Sequence, residues 1–472
     1  MFATEHLAFT GGLPPKLRAQ VTRPPVPVAE AIDAAQPERE RQDRLAYRLL
    51  LFFIFVLIFR PQDDLKFLDP LHLAELSGTA AVIALASGRV SRGRQFTRMT
   101  PEFILVLALA VWMLLTAPFS MWPGGAIAVF TDLFSKVLVV FALIINTIST
   151  RQRFERLVTI IAAGTSYIAM RAVFDYVRGI NLVEGNRIGG GLSGLFGNPN
   201  DMALNMVAFL PLAIVIALQR KEMLARAVGL VGIPAIVLAI IFAKSRGGTV
   251  GLVVMVTVFL YMMRRVRPGI AGLVLLATLA AVPLLPANFT SRMSSIFNAE
   301  EDPTGSREAR KQLLREGYQA FLDNPIVGIG AGQFTNYRPD ERQGAWRETH
   351  NAPLQVASEL GILGLIIFAL LIGSGFMAAR AAGNALRARA EPRDRRIAPG
   401  PVSAEYDRLA LYAAALSASL AGWFVAALFA SVAYYWTLYL VLGLAVALRD
   451  ITRGGQPVPR TVPAMRRTVS SR

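Results

Sequence analysis

Four arginines and one histidine lie in or beside the loops that separate apolar segments of this chain. They are Arg187, Arg246, Arg307, Arg310 and His350. Arginine offers phosphate oxygens two parallel hydrogen bonds and keeps its charge. Histidine gains or loses a proton near neutral pH, so it can act as a general base on a hydroxyl group. The combination favours a site that binds an anionic phosphate group and activates a hydroxyl nucleophile.

The first of these loops is rich in glycine and reads RIGGGLSGLFGNPND over 187–201. Exposed backbone N–H groups of such a loop can hold phosphate oxygens, and a helix N-terminus favours an anion. Asn200 or Asp201 is expected to cap the helix that follows, with Asn198 in support. A flexible loop before a capped helix explains the same residues equally well. Arg187 favours the binding interpretation because it places a cation in the same loop.

A second cation stands in a very short connection, Ser245-Arg246-Gly247-Gly248, between two apolar runs. Arg246 must therefore lie at the boundary of the membrane. Two glycines after it allow a ligand to approach the backbone closely, with Ser245 as a supporting residue. The alternative is an arginine that only ends a span and extends its charge to the interface.

A long loop covers about residues 286–351, and loops of this length are usually functional. Apolar residues repeat at helical spacing over 306–322, which predicts an amphipathic helix on the membrane surface, with Arg307 and Arg310 in its first turns. A solvated helix face explains these two arginines as well. The glycines of NPIVGIGAGQF over 324–334 match a dinucleotide fingerprint poorly, since no strand–helix unit is present. They predict a sharp turn back toward the membrane.

His350 and Asn351 close this loop. His350 is interpreted as the general base, although a residue that only starts the next helix, beside an Asn351 cap, is the alternative. Gln355 and Glu359, one turn apart on that helix, can orient neighbouring groups. The chain has no cysteine and no histidine pair at ligand spacing, so we predict no metal site and no cofactor.

The composition sets the class of protein. Of the 472 residues, 54% are hydrophobic and 17% charged, whereas soluble domains carry about 25% charged residues. Repeated apolar runs of about 20 residues predict an all-α polytopic membrane protein. The twelve predicted spans are 47–59, 71–88, 102–118, 133–149, 154–176, 200–219, 223–243, 247–263, 268–285, 352–379, 407–430 and 432–448.

Arginine and lysine cluster in every second gap between the spans, for example at 89–98, 151–156 and 220–226. Short loops rich in these residues stay in the cytoplasm. Both termini are thus predicted to be cytoplasmic, and all five candidate residues face the periplasm. A net charge of +17 suggests nucleic-acid binding in a soluble protein. In a membrane protein, cytoplasmic loops rich in arginine and lysine account for this positive charge, and these loops face anionic lipid headgroups. We therefore expect membrane lipids and no nucleic acid as partners.

Three regions follow from this plan. Residues 1–46 are polar and proline-rich, which predicts a disordered cytoplasmic tail and no cleavable signal peptide. Residues 47–449 form the transmembrane domain, with the periplasmic loop at 286–351. Residues 450–472 form a second cytoplasmic tail.

The candidate motifs, taken in order, resemble the O-antigen ligase and polymerase superfamily. These are Arg187, FGNPN over 196–200, Ser245-Arg246-Gly247, NPIVGIGAGQF over 324–334, His350-Asn351 and ELGILG over 359–364. The resemblance covers about residues 185–370, and it rests on order, spacing and shared sidedness rather than on any one motif.

This resemblance implies a fold of the GT-C glycosyltransferase type in a bacterial inner membrane. The family transfers a glycan from undecaprenyl diphosphate to a hydroxyl of another glycan, without a metal. His350 would be the base. Arg187, Arg246 and either Arg307 or Arg310 would bind the diphosphate.

Several substrates and two other classes of function remain open. A ligase acts on lipid A–core, a polymerase on a growing polysaccharide, and an oligosaccharyltransferase on a protein hydroxyl. The ligase is slightly favoured. A transporter or flippase for a lipid-linked or anionic solute, and a scaffold without activity, are the alternatives of another class.

Overall fold

The computed structural model describes most of the membrane domain. The described residues are 43–183, 187–189, 196–220, 222–264, 266–281, 283, 285–294, 306–338, 348–390 and 401–453. Within them the chain is almost entirely helical, apart from one two-stranded hairpin in which β1 (Leu182–Val183) pairs antiparallel with β2 (Arg187–Ile188). The prediction of an all-α architecture is therefore confirmed.

The helices follow one another along the described residues. Before the hairpin they are α1 (Arg44–Phe59), α2 (Pro61–Asp64), α3 (Leu73–Val90), α4 (Pro101–Thr116), α5 (Pro123–Val129), α6 (Ser135–Thr147) and α7 (Arg151–Arg178). After it they are α8 (Pro199–Gln219), α9 (Met223–Ala243), α10 (Arg246–Met263), α11 (Pro268–Ala281), α12 (Ala287–Ser294), α13 (Ser306–Asp323), α14 (Ala352–Ala390), α15 (Pro401–Ala427) and α16 (Trp436–Thr452). A π-helical turn, Phe130–Phe134, joins α5 to α6.

Every predicted span coincides with a helix, but their lengths differ. Nine stretches among the described residues are long and apolar enough to cross a membrane. The remaining three are α1 and α16, with 16 and 17 residues, and α11 with 14, against about 20 for a straight crossing. A polytopic membrane protein is therefore confirmed, whereas the count of twelve crossings stays a prediction.

Two helices form the centre of the bundle. Every residue of α16 from Trp436 to Arg449 is buried, and α8 is buried over most of its length, against α7, α9, α10 and α15. A helix that is hydrophobic on all sides belongs inside a bundle. Around this centre, small residues allow close packing, as where Gly251 of α10 faces Gly422 of α15. Such small-residue contacts are typical of membrane helices.

Ion pairs gather a first set of loops at one end of the bundle, which we call the arginine-rich end. Arg449 pairs with Glu102, Arg98 with Asp450, Arg89 with Asp43 and Arg220 with Glu155. These contacts join loops that the charge pattern predicts to share the cytoplasmic side. The first turns of α8 and α10, the start of α14 and the loop 428–435 meet at the opposite end.

Candidate functional site

The loop 428–435, between α15 and α16, organises the opposite end. The Ser431 hydroxyl accepts a hydrogen bond from the backbone N–H of His350 at 2.9 Å, and it lies 2.9 Å from the Thr349 hydroxyl. The side-chain amide of Asn351 donates to the Leu428 carbonyl at 3.2 Å. His350 and Asn351 are thus attached to this loop, which connects the predicted spans 407–430 and 432–448.

The backbone of His350 adopts a left-handed conformation, with φ of 49°. This conformation is uncommon outside glycine and is often found at functional sites. The next residue, Asn351, caps α14, because its Oδ1 accepts the N–H of Leu354 at 2.9 Å. His350 therefore stands just outside the helix, with a partly exposed side chain.

Arg187 is buried, with 3% of its surface exposed. Its Nε donates to the Ala243 carbonyl at the end of α9, and its Nη2 donates to Oδ1 of Asn200, both at 2.9 Å. A cation at a helix C-terminus is favourable, because the last carbonyl groups carry partial negative charge. Arg187 therefore connects the end of α9 to the start of α8, in addition to any contact with a ligand.

The cap of α8 differs from the expectation. Asn198, not Asn200 or Asp201, is the N-cap residue, and its Oδ1 accepts the N–H of Asn200 at 2.8 Å. The reason is Pro199, which occupies the first helical position, where its missing N–H costs nothing. Asn200 is then free of the capping role and orients the Arg187 guanidinium.

Ser245 and Arg246 begin α10. The Ser245 hydroxyl caps the helix by accepting the N–H of Gly248 at 3.2 Å, so the positive end of the helix dipole lies beside Arg246. A Cβ on Gly247 would come within 2.5 Å of Phe429. The close approach that the glycines predict is therefore made to the loop 428–435, which also holds His350.

Two further cations join this end and were not singled out from the sequence. Lys244 has only 4% of its surface exposed, and it lies within electrostatic range of Arg187 and of Arg292 on α12. Burial lowers the pKa of Lys244, and the charges of Arg292 and Arg187 lower it further. The clustering of cations is thus stronger than expected. The sequence signal that could have identified Lys244 as part of this site is its position directly before Ser245 and Arg246.

A break in α14 supports the glycine-rich segment 324–334. Gly361 has φ 67° and ψ −167° inside the helix, which frees carbonyl groups that a continuous helix would use. The N–H groups of Ile329 and Gly330 donate to the freed carbonyls of Ser358 and Glu359, both at 2.9 Å. The glycine-rich segment therefore packs against the break, as its predicted turn toward the membrane requires.

Glu359 holds the same segment with its side chain. The carboxylate accepts the N–H of Gly332 at 2.8 Å and that of Phe334 at 3.4 Å. It is 3% exposed and lies beside the buried Tyr434, whose hydroxyl forms no well-aligned hydrogen bond with the described residues. Glu359 therefore holds the backbone of the glycine-rich segment at Gly332 and Phe334.

The amphipathic helix occurs as α13, which packs against α14. A Cβ on Gly317 would lie 2.9 Å from Leu354, one turn after His350. Leu313 is buried, whereas Leu314, Tyr318 and Leu322 stay exposed on the outer side. Arg310 is partly exposed two turns before Gly317, and the Arg307 side chain lies outside the described residues.

Acidic and aromatic groups border the same region. Asp201 of α8 and Glu348 lie close enough for their charges to interact. A cavity of about 120 Å³ opens beside the loop 428–435, and its lining includes Arg60, Asp132, Lys136, Phe196, Tyr435 and Trp436. Among the described residues, no group of three metal-binding side chains occurs.

Taken together, these contacts define a polytopic helical membrane protein in which arginines, a lysine and an accessible histidine meet at one end of the bundle. Residues 231–369 match the family model described as O-antigen ligase. The predicted resemblance to the O-antigen ligase and polymerase superfamily is confirmed by this match, which includes Arg246, His350 and Glu359. Residues 44–184 match a second model, described as a family of unknown function (DUF5935). A search of curated proteins found no match to the chain.

Proposed function

We propose that the protein transfers a glycan from undecaprenyl diphosphate to a hydroxyl of an acceptor glycan at the periplasmic face of the inner membrane. The O-antigen ligase match supports a transferase of this general kind. The donor, the acceptor and the residue roles are our proposal. The observation that carries it is the attachment of His350, in its left-handed conformation, to the loop that also contacts the start of α10 at Arg246.

The roles follow from the chemistry of the step. His350 removes the proton of the acceptor hydroxyl, whose oxygen then bonds to the anomeric carbon of the donor. The bond from that carbon to the diphosphate breaks, and the diphosphate leaves with the electron pair. Attack from the face opposite the leaving group inverts the anomeric centre.

The leaving diphosphate gains negative charge, and fixed cations stabilise it. Arg246 at the N-terminus of α10 serves this role, and Arg187 and Lys244 contribute from behind it. Arg310 or Arg307 of α13 completes the site from the long loop. This set of cations replaces a metal ion in our proposal. The lipid chain of the donor lies along the exposed apolar side of α13, at Leu314, Tyr318 and Leu322.

A single assay tests the reaction and separates the acceptors. Purified protein receives undecaprenyl diphosphate with a radiolabelled oligosaccharide, with and without lipid A–core, and with a chelator in a parallel sample. Label on lipid A–core identifies a ligase. A ladder of longer lipid-linked chains, regardless of added core, identifies a polymerase. Absence of transfer in both conditions would refute the proposal, and loss of transfer with the chelator would refute its independence from metals.

A further inference from the structure

A second cavity lies far from the candidate functional site. It measures about 410 Å³ and opens between α10, α14 and α15. Its residues on α10 include Tyr261, which is about 22 Å along the helix axis from Arg246, at 1.5 Å per residue. On α14 it begins at Phe376, well beyond the break at Gly361. This cleft therefore belongs to the arginine-rich half of the bundle and has no part in the proposed transfer.

One face of α14 makes one end of the cleft apolar and the other end positively charged. Phe376, Arg380, Asn384 and Arg387 line it, at spacings of three and four residues that place them on the same side of the helix. The apolar residue is nearest the middle of the bundle, and the arginines are nearest its end. The guanidinium of Arg264 adds a charge at this end, over the ring of Tyr261 at 4.2 Å.

Arg380 and Arg387 are exposed, and among the side chains that the structure describes no acidic group forms an ion pair with either of them. Other arginines of the same end are neutralised in the folded protein, as Arg449 is by Glu102 and Arg220 by Glu155. Two arginines on one face beside a cavity attract an anion.

The other walls of the cleft are apolar. Val258 and Met262 of α10 face it, and α15 contributes small side chains such as Ala414 and Ala421. Small residues on α15 leave the space open, whereas larger ones would close it. A free anion would use only the arginine end of this cavity. A ligand with an anionic group and hydrocarbon chains would use all of it.

We propose that this cleft binds an anionic diacyl phospholipid. Its phosphate lies between Arg380 and Arg387, and an acyl chain runs along Phe376, Met262 and Val258 toward the middle of the bundle. Basic pockets between membrane helices are known to hold such headgroups. This inference does not depend on the proposed transfer reaction, so each can fail without the other.

The experiment is native mass spectrometry of the purified full chain in nonionic detergent. It is titrated with phosphatidylglycerol, or with phosphatidylcholine as the zwitterionic reference. We expect saturable binding of phosphatidylglycerol and no saturable binding of phosphatidylcholine. Arg380→Gln combined with Arg387→Gln should weaken phosphatidylglycerol binding about 30-fold, since each arginine near an anionic headgroup contributes roughly a fivefold gain.

The matched control removes two arginines elsewhere. Arg156→Gln combined with Arg226→Gln takes the same charge from exposed positions on the same predicted side, outside the cleft, and should leave binding unchanged. Equal weakening in this control would reduce the effect to net charge and overturn the proposal. Competition by inorganic phosphate alone, or tighter binding of undecaprenyl phosphate, would overturn the choice of ligand.

A second variant tests the cleft without changing its charge. Ala414→Leu fills space that an acyl chain would occupy while it leaves both arginines in place. We expect this variant to weaken phosphatidylglycerol binding and to keep the wild-type melting temperature in detergent. Unchanged lipid binding by a folded Ala414→Leu protein would refute the position of the acyl chain. This variant also decides the question if the double arginine variant fails to fold.

Discussion

The position of His350 depends on a neighbour far away in the chain. The Ser431 hydroxyl accepts its backbone N–H at 2.9 Å, and the left-handed backbone turns the chain before Asn351 starts α14. A general base must be accessible and fixed in orientation. His350 meets both conditions, because its side chain is partly exposed while its backbone is restrained.

Replacement of His350 by alanine should reduce glycan transfer by about 10²–10⁴-fold, which is the usual contribution of a general base. The melting temperature should stay near wild type, because the N–H that Ser431 accepts belongs to the backbone. His72→Ala is the matched control, since His72 is exposed and also has a positive φ. If His350→Ala and His72→Ala showed the same turnover, His350 would not be the general base.

The two arginines of the site should respond differently to lysine. Arg246→Lys should lose about 10²–10³-fold in turnover with little change in stability, because a point charge cannot reproduce the guanidinium fork at the leaving group. Normal turnover would show that Arg246 only ends a span.

Arg187→Lys should also lower the free energy of unfolding, by about 1.5–3 kcal/mol for a charged hydrogen bond that lysine cannot make. Arg187 donates to Ala243 and Asn200 from two different nitrogens, Nε and Nη2, and the single ammonium nitrogen of lysine cannot take both positions. Unfolding in detergent and turnover measure the two effects. A stable but inactive Arg187→Lys protein would assign this arginine to the ligand alone.

At the scale of elements, the break in α14 connects the long loop to the bundle. The carbonyl groups freed at Ser358 and Glu359 accept the N–H groups of Ile329 and Gly330, and the Leu360 carbonyl accepts the Trp112 indole N–H at 2.8 Å. Because buried polar groups are costly when unpaired, the break and the loop stabilise each other. Together they fix the loop that leads toward His350.

Gly361→Ala should therefore destabilise the protein severely. A left-handed backbone costs a non-glycine residue about 1–2 kcal/mol, and the new Cβ would lie 2.2 Å from the Ile326 carbonyl oxygen, so the loop must move. Gly373→Ala is the control on the same helix, since nothing lies within 4 Å of its Cβ. Thermal unfolding in detergent measures both, and equal melting temperatures would contradict a required break.

Glu359→Gln tests the attachment of the glycine-rich segment. A carboxylate accepts from both Gly332 and Phe334, whereas an amide offers one acceptor oxygen and turns a donor toward the other N–H. We expect a loss of about 1–3 kcal/mol in unfolding free energy from the unsatisfied N–H, together with lower turnover. Retention of wild-type stability and turnover would mean that the segment does not depend on this side chain.

At the scale of the whole molecule, the two ends of the bundle differ in the neighbours of their basic side chains. At the arginine-rich end several arginines pair with acids, and these pairs connect helices distant in sequence. At the other end Lys244 lies within electrostatic range of both Arg187 and Arg292. Neighbouring cations of this kind attract an anion, such as the diphosphate of the proposed donor.

Removal of residues 1–40 should leave turnover and melting temperature close to wild type, because these polar, proline-rich residues are predicted to form a disordered tail. Asp43→Asn, by contrast, removes the carboxylate that pairs with both Arg89 and Arg92. It should cost about 1–3 kcal/mol, since hydrogen bonds to charged groups are lost. A large loss of turnover in the truncated protein would show that the tail takes part in function.

The helices could be predicted from the sequence because a membrane imposes one rule on each segment separately. Apolar runs such as 223–243 must form helices in order to satisfy their own backbone hydrogen bonds, and α9 spans the same residues. The amphipathic helix of the long loop followed from its spacing in the same way. Helix caps were less certain, as Asn198 shows, because a proline shifted the first helical position.

Local pattern determined the class and the helices, and it supplied the predicted orientation and the candidates Arg187, Arg246 and His350, because periodicity and charge act on neighbouring residues. The partners of those candidates came from the fold. Ser431 beside His350, Arg187 and Arg292 near Lys244, and the break at Gly361 under the glycine-rich segment join residues up to 81 positions apart. Contacts of that range have no period along the chain, since they depend on which helices pack together, and packing is decided by the shapes of buried surfaces in three dimensions.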